Sequence, residues 1–317
     1  MATLLVIGGS GFFGKSILDM FQRGKLSPWN INKVISMSRN AERLKSETPY
    51  LTLGNVELLT SDISTAEHLP DADFIIHAAA STDARNYLNS GEDERKNIQS
   101  GTLNYCRLAR GNMNTKTIYV SSGAVYGTQP SNITHVKESY QLIDPYDIPE
   151  NKRDYTIAKR VAEEQIKELG KEGMLVSIAR CFSFVGPFLP LDQHFAIGNF
   201  IRDGLLQQKI KVNTKNKVYR SYMYSDDLVV WLMTILHNAD NTCPIYNVGS
   251  DEPILIDQLA RNISKIFKLS FDDIKYTSEL IDRYIPNIEK AKKNLNLRMS
   301  YSLSHALITT IDRIKYK

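Results

Sequence analysis

Tyr155 and Lys159 stand four residues apart in the chain, and Ser121 and Ser122 precede them. On a helix, a spacing of four places both side chains on one face. A nearby ammonium favours a phenolate, so Lys159 would lower the pKa of Tyr155 towards the working pH. Hydride transfer at a carbonyl or alcohol carbon needs such an acid–base pair beside the hydride. The alternative is an ordinary pair of side chains on a helix surface, because in a chain with 16 tyrosines this spacing can arise by chance.

The N-terminal segment has the pattern of a phosphate-binding loop. Residues 3–7 form an apolar run typical of a buried strand, and residues 12–21 have apolar side chains at helical intervals. Gly8, Gly11 and Gly14 lie between these two predicted elements. Glycines there permit a tight turn and the close approach of a pyrophosphate to the N-terminus of the helix. The segment therefore predicts a dinucleotide site, with an ordinary strand–helix turn as the alternative.

The elements that position these residues alternate along the chain between strands and helices. Such alternation predicts an α/β fold of the Rossmann type, with a doubly wound parallel sheet. The pattern predicts strands at residues 3–7, 34–37, 56–59, 74–76, 117–120 and 175–179, and helices at residues 12–21, 98–109 and 155–169.

The alternation loosens after about residue 180. We expect a dinucleotide-binding domain over residues 1–180 and a smaller lobe, mainly for substrate, over residues 181–317, with some segments returning to the first sheet. Ligands of doubly wound folds bind beyond the carboxyl ends of the strands. The lobe is therefore expected to close over that edge and to supply specificity.

Composition excludes several other classes. The net charge of +4 is spread among 35 acidic residues, which argues against a nucleic-acid partner. Cys106, Cys181 and Cys243 are too widely spaced to suggest a disulfide framework or a metal site. The N-terminal apolar run is too short to span a membrane and lacks a cationic leader. We expect a cytoplasmic protein without a metal, membrane or nucleic-acid partner.

Several motifs resemble the extended, sugar-nucleotide-modifying branch of the short-chain dehydrogenase/reductase family. The Gly-x-x-Gly-x-x-Gly loop, the Ser-Ser-x-x-Val-Tyr-Gly signature at residues 121–127 and the His-x-Ala-Ala loop at residues 77–80 occur in the expected order. The resemblance implies that Ser122, Tyr155 and Lys159 are the catalytic residues. The cofactor-binding residues that it implies are Gly8, Gly11, Phe12, Phe13, Gly14, Ser38, Arg39, Asp62, Ile63, Ala78, Ala79, Ala80, Tyr155 and Lys159.

The choice of cofactor is read at the end of the second predicted strand. An acidic side chain there would hold the ribose 2′-hydroxyl of NAD, whereas a basic one suits the 2′-phosphate of NADP. The chain has Ser38, Arg39 and Asn40 at this point and no carboxylate. A guanidinium is suited to a phosphate, so NADP(H) is favoured and NAD(H) stays open. A solvated surface arginine is the alternative.

Motifs in the second half resemble the family's contacts to a nucleotide-diphosphate sugar. Residues 180–187 resemble its Arg-x-Phe-Asn-x-x-Gly-Pro motif, with serine at the asparagine position, and residues 220–228 resemble the motif whose arginine pairs with the diphosphate. For single residues a structural role is the alternative: an arginine can pair with a carboxylate, and an asparagine can cap a strand end. The substrate-binding residues that the resemblance implies are Ser183, Asn199, Arg220, Asn247 and Arg283, and His194 is a further candidate for the sugar pocket.

The resemblance also narrows the reaction. Family members that eliminate water carry an Asp-Glu pair after the catalytic hydroxyl, whereas this chain has Gly123 and Ala124. The remaining readings are a 4-keto-sugar-nucleotide reductase or 4-dehydrogenase, a 4-epimerase, or a non-catalytic NAD(P)-sensing protein. We favour the first of these. The resemblance also implies a homodimer through the helices at residues 98–109 and 155–169, for which ordinary packing on the sheet is the alternative. The long segment at residues 128–154 is expected to form a lid or to line the substrate pocket.

Overall fold

A computed structural model describes residues 1–80, 84–193, 195–272 and 274–315 of the protein. The chain divides into two compact units. The first comprises residues 1–127, 143–181 and 229–246, and the second comprises residues 128–142, 182–228 and 247–317. The chain therefore passes between the units several times, and the segment at residues 128–142 belongs to the second.

The strands and helices that the sequence pattern predicts occur in the predicted order, and the helix Arg43–Glu47 and the elements after residue 181 are additional to them. The strands are β1 (Ala2–Ile7), β2 (Ile31–Ser38), β3 (Val56–Thr60), β4 (Phe74–His77), β5 (Lys116–Ser122), β6 (Val176–Cys181), β7 (Phe184–Val185), β8 (Lys217–Arg220), β9 (Met223–Tyr224), β10 (Ile245–Val248), β11 (Ile254–Leu255) and β12 (Ile281–Tyr284). The helices are α1 (Phe12–Gln22), α2 (Arg43–Glu47), α3 (Ala84–Ala109), α4 (Glu150–Lys171), α5 (Ala196–Leu205), α6 (Ser225–His237), α7 (Ile256–Ile266), α8 (Glu289–Leu295) and α9 (Leu303–Lys315).

Within the described residues, seven strands form one sheet in the order β10-β6-β5-β4-β1-β2-β3. The chain builds β1, β2 and β3 outwards in one direction and then returns to place β4, β5 and β6 on the other side of β1. Strand β1 pairs in parallel with β2 and β4, and β5 pairs in parallel with β4 and β6. This confirms the predicted doubly wound α/β fold, whose direction reverses between β1 and β4. Ligands of such folds bind at that reversal.

Helix α4 carries the candidate catalytic pair and packs against the sheet through an apolar stripe. Its fully buried apolar residues are spaced three or four apart, which is the period of one helix face. This stripe joins the core of the first unit. Two charged residues, Lys159 and Glu163, are also buried on α4, at 2% and 1% exposure. The apolar residues of the stripe are Ala158, Ala162, Ile166 and Leu169.

The second unit has its own core and small sheets. Strand β8 pairs with β11 in the antiparallel sense and with β12 in the parallel sense. Strand β7 pairs with β9. Helices α5, α7 and α9 contribute buried apolar residues to one cluster, among them Ile201, Leu259 and Leu307. This unit is the lobe for which we predict substrate binding.

The segment at residues 128–142 is fixed within the second unit. Val136 forms a parallel bridge with Pro286, and its backbone N–H donates to the carbonyl of Ile285 at 3.0 Å. The side-chain oxygen of Gln129 accepts a hydrogen bond from the backbone N–H of Ile285 at 3.0 Å. The connecting segment, expected over residues 128–154, ends earlier than predicted, because α4 begins at Glu150. Residues 128–142 are therefore part of the folded second unit, and their role as a lid or as a wall of the substrate pocket stays a prediction.

Candidate active site

Lys159 is a buried cation next to Tyr155. Helix α4 places the two residues one turn apart, and the Lys159 Nζ atom lies 5.9 Å from the centroid of the Tyr155 ring. The ammonium donates hydrogen bonds to the backbone carbonyl of Val120 at 3.0 Å and to the hydroxyl of Tyr119 at 3.2 Å. Helix α4 thus holds an amine against the tyrosine that the sequence predicts to be the acid–base group.

The surroundings of Lys159 weaken its hold on a proton. Burial disfavours the charged form and lowers the pKa of Lys159 from 10.5 to about 8. Nearby Cys181, Glu163 and Glu94 act in the opposite direction. At neutral pH the group is therefore still mostly charged, in a place where water does not screen it. A cation so placed favours the phenolate form of Tyr155.

The two serines at the end of β5 have different surroundings. Side chains alternate between the faces of a strand, so Ser121 and Ser122 leave β5 in opposite directions. The Ser121 hydroxyl is buried and donates to Glu163 at 2.6 Å. The Ser122 hydroxyl is half-buried and accepts a hydrogen bond from the backbone N–H of Ala124 at 3.1 Å. This arrangement supports Ser122 as the serine that can reach a substrate, which stays a prediction.

Helix α4 also fixes the turn that follows Ser122. The Thr156 hydroxyl donates to the carbonyl of Ala124 at 3.1 Å, and Nε of Arg160 donates to the carbonyl of Val125 at 2.8 Å. Thr156 directly follows Tyr155 in the chain, and Arg160 directly follows Lys159. The same helix therefore presents Tyr155 and Lys159 and sets the position of the turn after Ser122.

A buried ion pair joins α4 to β6. Arg180 donates from Nη2 to Glu163 at 2.7 Å, and both side chains are at most 5% exposed. The guanidinium also lies 4.9 Å from the centroid of the Tyr126 ring. Buried charges are tolerated only when they are paired, so this pair fixes how α4 lies on the sheet. In the sequence, Arg180 stands out only as part of a substrate motif. No motif indicates Glu163 as its partner, although Glu163 lies four residues after Lys159.

The glycine loop after β1 has the geometry that a close ligand requires. Gly8 has a φ of +96°, and a Cβ atom there would lie 2.8 Å from the backbone of Ala78. A Cβ atom on Gly14 would lie 2.2 Å from the carbonyl oxygen of Gly9. A Cβ atom on Gly11, in contrast, would meet only the Gly8 carbonyl, at 3.4 Å. Packing within the chain thus requires glycine at positions 8 and 14 but leaves the space above Gly11 open.

The other predicted cofactor loops lie near or beside this one. The backbone N–H of Ala78 donates to the carbonyl of Ile7 at 2.8 Å, so the loop with Ala79 and Ala80 follows β4 directly alongside the glycine loop. Asp62 accepts hydrogen bonds from the backbone and hydroxyl of Ser64, at 2.9 and 2.8 Å. Ile63 is buried in the core of the first unit. For Asp62 and Ile63 the structure thus shows structural contacts, and their contact with adenine stays a prediction.

The end of β2 offers two groups for the ribose side of a dinucleotide. The Ser38 hydroxyl oxygen is buried and has no hydrogen-bond partner among the described residues. Arg39 is exposed and forms no ion pair with any residue that the structure describes. Its neighbour Arg43, in contrast, is paired with Glu47 at 2.5 Å. With the open space above Gly11, these groups fit a nicotinamide dinucleotide held by the first unit, with Phe12 and Phe13 at the start of α1.

Two of the predicted substrate arginines lie on neighbouring strands of the second unit. Arg220 on β8 donates from Nη2 to Asp282 on β12 at 2.7 Å, which realises the alternative of a carboxylate partner. The Arg283 guanidinium lies 4.7 Å from the centroid of the Tyr219 ring. Because Arg283 is in register with Tyr219 and not with Arg220, the two arginines leave the small sheet from opposite faces.

The remaining predicted substrate residues make local contacts. Asn247 is fully buried and donates from its side-chain nitrogen to the carbonyls of Val136 and Asn287. Asn199 accepts a hydrogen bond from Arg202 at 3.1 Å on α5. The backbone carbonyl of Ser183 accepts from Met223 at 3.0 Å. Their role in binding a substrate stays a prediction, and His194 lies outside the described residues.

The described residues contain no group of His, Cys, Asp and Glu side chains that would hold a metal ion. None of the helices in the described ranges is both long and apolar enough to cross a membrane.

Comparison with known proteins decides the family. Residues 4–249 match the model of the NAD dependent epimerase/dehydratase family, a range that includes the glycine loop, Ser122, Tyr155 and Lys159. The chain belongs to this family. It is an NAD-dependent family of enzymes, so the two-lobed fold and its glycine loop are those of a nicotinamide-dependent enzyme, as the motifs predict.

Alignments with curated relatives cover nearly the whole chain. UDP-glucuronic acid decarboxylase 1 of Xenopus tropicalis is 28% identical over 313 residues, which are 97% of this chain and 71% of the relative. UDP-glucuronic acid decarboxylase 6 of Arabidopsis thaliana is 26% identical over 311 residues, which are 96% of this chain and 86% of the relative.

Solved structures show the same fold. UDP-glucose 4-epimerase of Thermotoga maritima with UDP-glucose has a TM-score of 0.80 at 20% identity and covers 99% of each chain. dTDP-glucose 4,6-dehydratase of Bacillus anthracis in complex with NAD has a TM-score of 0.81 at 20% identity and covers 100% of this chain and 97% of that chain. This confirms the Rossmann-type fold of an epimerase/dehydratase family member.

Substitution of two loop glycines separates folding from cofactor binding. Gly8→Ala should lower the free energy of unfolding by about 1–3 kcal/mol, because alanine is strained at this φ and would clash with Ala78. Gly11→Ala should cost about 1 kcal/mol or less and yet weaken NAD binding about tenfold or more, because its methyl group would fill the space open to a pyrophosphate. Urea unfolding and calorimetric NAD titration measure the two effects. Unchanged NAD binding by Gly11→Ala would exclude this loop as the pyrophosphate site.

The buried lysine should make stability depend on pH. Folding lowers the pKa of Lys159 from 10.5 to about 8, so its burial penalty is fully present below pH 8 and disappears as the pH rises to 10.5. Lys159→Met should therefore be more stable than the wild type near neutral pH, by up to about 3 kcal/mol, and should lose that advantage near pH 10.5.

Urea unfolding of both proteins across this range measures the difference. Lys171→Met is the matched control, because Lys171 lies on the same helix but its side chain is 70% exposed and pairs with Glu168 at the surface. The stability difference between Lys171→Met and the wild type should not change between pH 8 and pH 10.5. A difference between Lys159→Met and wild type that does not change with pH would contradict the burial of a charged Lys159.

Proposed function

We propose that the protein is an NAD(P)-dependent oxidoreductase that acts at C4 of a nucleotide-diphosphate sugar, as a 4-keto-sugar-nucleotide reductase or 4-dehydrogenase. The observation that carries this proposal is the buried Lys159 ammonium beside Tyr155 on α4, with Ser122 at the end of β5. This set can move one proton to or from a substrate oxygen while hydride moves at the carbon that bears it.

The roles of the three residues follow from their surroundings. A dinucleotide whose pyrophosphate is held by the glycine loop would supply or accept the hydride through its nicotinamide ring. Ser122 hydrogen-bonds the reacting oxygen of the sugar and so polarises it. Tyr155 gives that oxygen its proton in reduction and removes it in oxidation. Lys159 stabilises the phenolate that Tyr155 becomes, and its burial keeps the interaction unscreened.

The turn after Ser122 supports a simple redox reaction over an elimination. Elimination of water from the oxidised sugar needs a further acid and base near the catalytic hydroxyl. Gly123 and Ala124 supply neither, and they are held in place by the backbone contacts of the turn. The curated relatives are named as decarboxylases of UDP-glucuronic acid, so that sugar nucleotide belongs in any substrate test.

We further propose that the enzyme prefers NADP(H), uses Arg220 to bind the diphosphate and works as a cytoplasmic homodimer. The exposed Arg39 at the end of β2 supports the first point, since a guanidinium pairs well with a 2′-phosphate. Arg220 would exchange its contact with Asp282 for the diphosphate. The exposed Leu103 on α3 and Val161 on α4, at 59% and 37%, suit a contact between two copies through these helices.

The preference for NADP can be tested with two neighbouring arginines. Arg39→Ala should weaken NADPH binding about tenfold and leave NADH binding unchanged, because only NADPH carries the 2′-phosphate. Arg43→Ala is the control, because Arg43 is already paired with Glu47, and it should change neither affinity. Fluorescence titration of both cofactors measures the effect. Equal losses for both cofactors on Arg39→Ala would contradict the proposed phosphate contact.

The reaction is tested by mass spectrometry of the cofactor released from the purified protein, followed by a panel of UDP-, GDP-, CDP- and dTDP-sugars. The panel includes 4-keto sugars and UDP-glucuronic acid, each with and without NADPH. The proposal predicts consumption of NADPH only with a 4-keto sugar nucleotide. Tyr155→Phe should lower kcat by about 10²- to 10⁴-fold, because it removes the proton donor.

Other results would point elsewhere. Turnover with retained NAD and without added cofactor would replace the reductase by a 4-epimerase, which oxidises and re-reduces the same carbon. Release of carbon dioxide from UDP-glucuronic acid would replace it by a decarboxylase. Cofactor binding without turnover of any sugar nucleotide would favour a sensing protein of the same fold.

A further inference from the structure

Tyr119 is a buried tyrosine that contacts the candidate catalytic lysine but that no sequence motif singles out. It lies on β5 and is fully buried. Its hydroxyl is 3.2 Å from Nζ of Lys159, and its ring centroid is 4.9 Å from the same atom. Tyr119 thus offers both an oxygen and an aromatic ring to the ammonium, and each favours the charged form.

The direction of this hydrogen bond is fixed by chemistry. An ammonium has three N–H donors and no acceptor, so the Tyr119 oxygen must accept. Burial raises the pKa of Tyr119 far above its ordinary value, so the phenol stays neutral and acts as a dipole and not as a counter-ion. The carbonyl of Val120 takes a second N–H. Among the residues that the structure describes, these are the two hydrogen-bond acceptors of Lys159, so its third N–H bond is available for Tyr155 or a ligand.

The other groups around Lys159 do not replace this contact. His77 on β4 is neutral, because burial in the first place and Lys159 in the second lower its pKa to about 3. Burial also raises the pKa of the Cys181 thiol on β6, so it carries no charge. Glu163 is held by Ser121 and Arg180. The titratable groups that face Lys159 are Tyr155 and Glu163 on α4, Tyr119 on β5, Cys181 on β6, His77 on β4 and Glu94 on α3.

We propose that Tyr119 is a positioning residue for the active site: its hydroxyl holds the Lys159 ammonium charged and oriented, and through Lys159 it sets the pH range in which Tyr155 exchanges its proton. Tyr119 acts without touching substrate or cofactor. The inference rests on the proposed function in so far as Tyr155 is the acid–base group there. It adds a residue on the sheet that tunes the pair on the helix.

The test measures the titration of Tyr155 itself. Ultraviolet difference spectra between each protein and its own Tyr155→Phe partner give the midpoint of phenolate formation at Tyr155. Tyr119→Phe should raise this midpoint by about one pH unit, because loss of a hydrogen bond to a charged group destabilises the ammonium that favours the phenolate. In sugar-nucleotide oxidation, the acid limb of the kcat profile should move by the same amount.

Tyr105→Phe is the matched control. Tyr105 is also fully buried and also packs on the His77 ring, at 5.0 Å compared with 5.4 Å for Tyr119. Its hydroxyl, however, bonds to Thr117 at 2.7 Å. The same loss of a buried hydroxyl should therefore leave the midpoint of Tyr155 unchanged.

A second background shows whether Tyr119 acts through Lys159. In Lys159→Met, adding Tyr119→Phe should not move the midpoint further, since the ammonium is already gone. An unchanged midpoint in Tyr119→Phe, an equal shift in Tyr105→Phe, or a shift that persists in the Lys159→Met background would each overturn the proposal.

A measurement on the wild-type protein tests the proposal without requiring that any variant folds. In nuclear magnetic resonance, the signal of the Tyr119 ring carbon that bears the hydroxyl should follow the deprotonation of Lys159, with a midpoint near pH 8. A signal that does not respond to that titration would overturn the proposal. Because neither spectroscopic readout needs a substrate, a shift without sugar-nucleotide turnover would contradict the proposed function alone, and turnover without a shift would contradict the role of Tyr119 alone.

Discussion

Glu163 is the buried charge on which the geometry of the candidate site depends. It is 1% exposed and accepts hydrogen bonds from Ser121 at the end of β5 and from Arg180 at the end of β6. Separating such a pair leaves an uncompensated charge in the interior, at a cost of about 3–5 kcal/mol. Helix α4 therefore cannot rotate or slide on these two strands. Lys159 and Tyr155 lie one and two turns earlier on the same helix, so this contact also fixes their positions.

The same constraint keeps the lysine buried. Once α4 is fixed, Lys159 points into the sheet, where its ammonium donates to the carbonyl of Val120 and the hydroxyl of Tyr119. The protein thereby sacrifices some stability near neutral pH, since burial works against the charge. In return, the charge acts on Tyr155 at close range in a medium of low polarity. Functional sites commonly contain strained or costly groups of this kind.

The first half of the fold was predictable because its signals are local. The glycine spacing, the apolar strands and the four-residue spacing of Tyr155 and Lys159 are each visible within a few residues of sequence, and the sheet and the family are confirmed. Contacts over long sequence distances were not predictable. The partner of Arg220, Asp282, lies 62 residues away, and Asn247 bonds to a segment more than 100 residues before it. Tyr119 gave no signal because a buried strand tyrosine is usually a packing residue.

The decisive measurement is a structure of the complex with a nicotinamide cofactor and a 4-keto nucleotide sugar. The proposed mechanism predicts the 4-keto oxygen within hydrogen-bond distance, about 2.6–3.2 Å, of both the Ser122 and Tyr155 hydroxyls, with the pyrophosphate of the cofactor at Gly11. A sugar oxygen held by neither hydroxyl, or a cofactor bound away from the glycine loop, would contradict it.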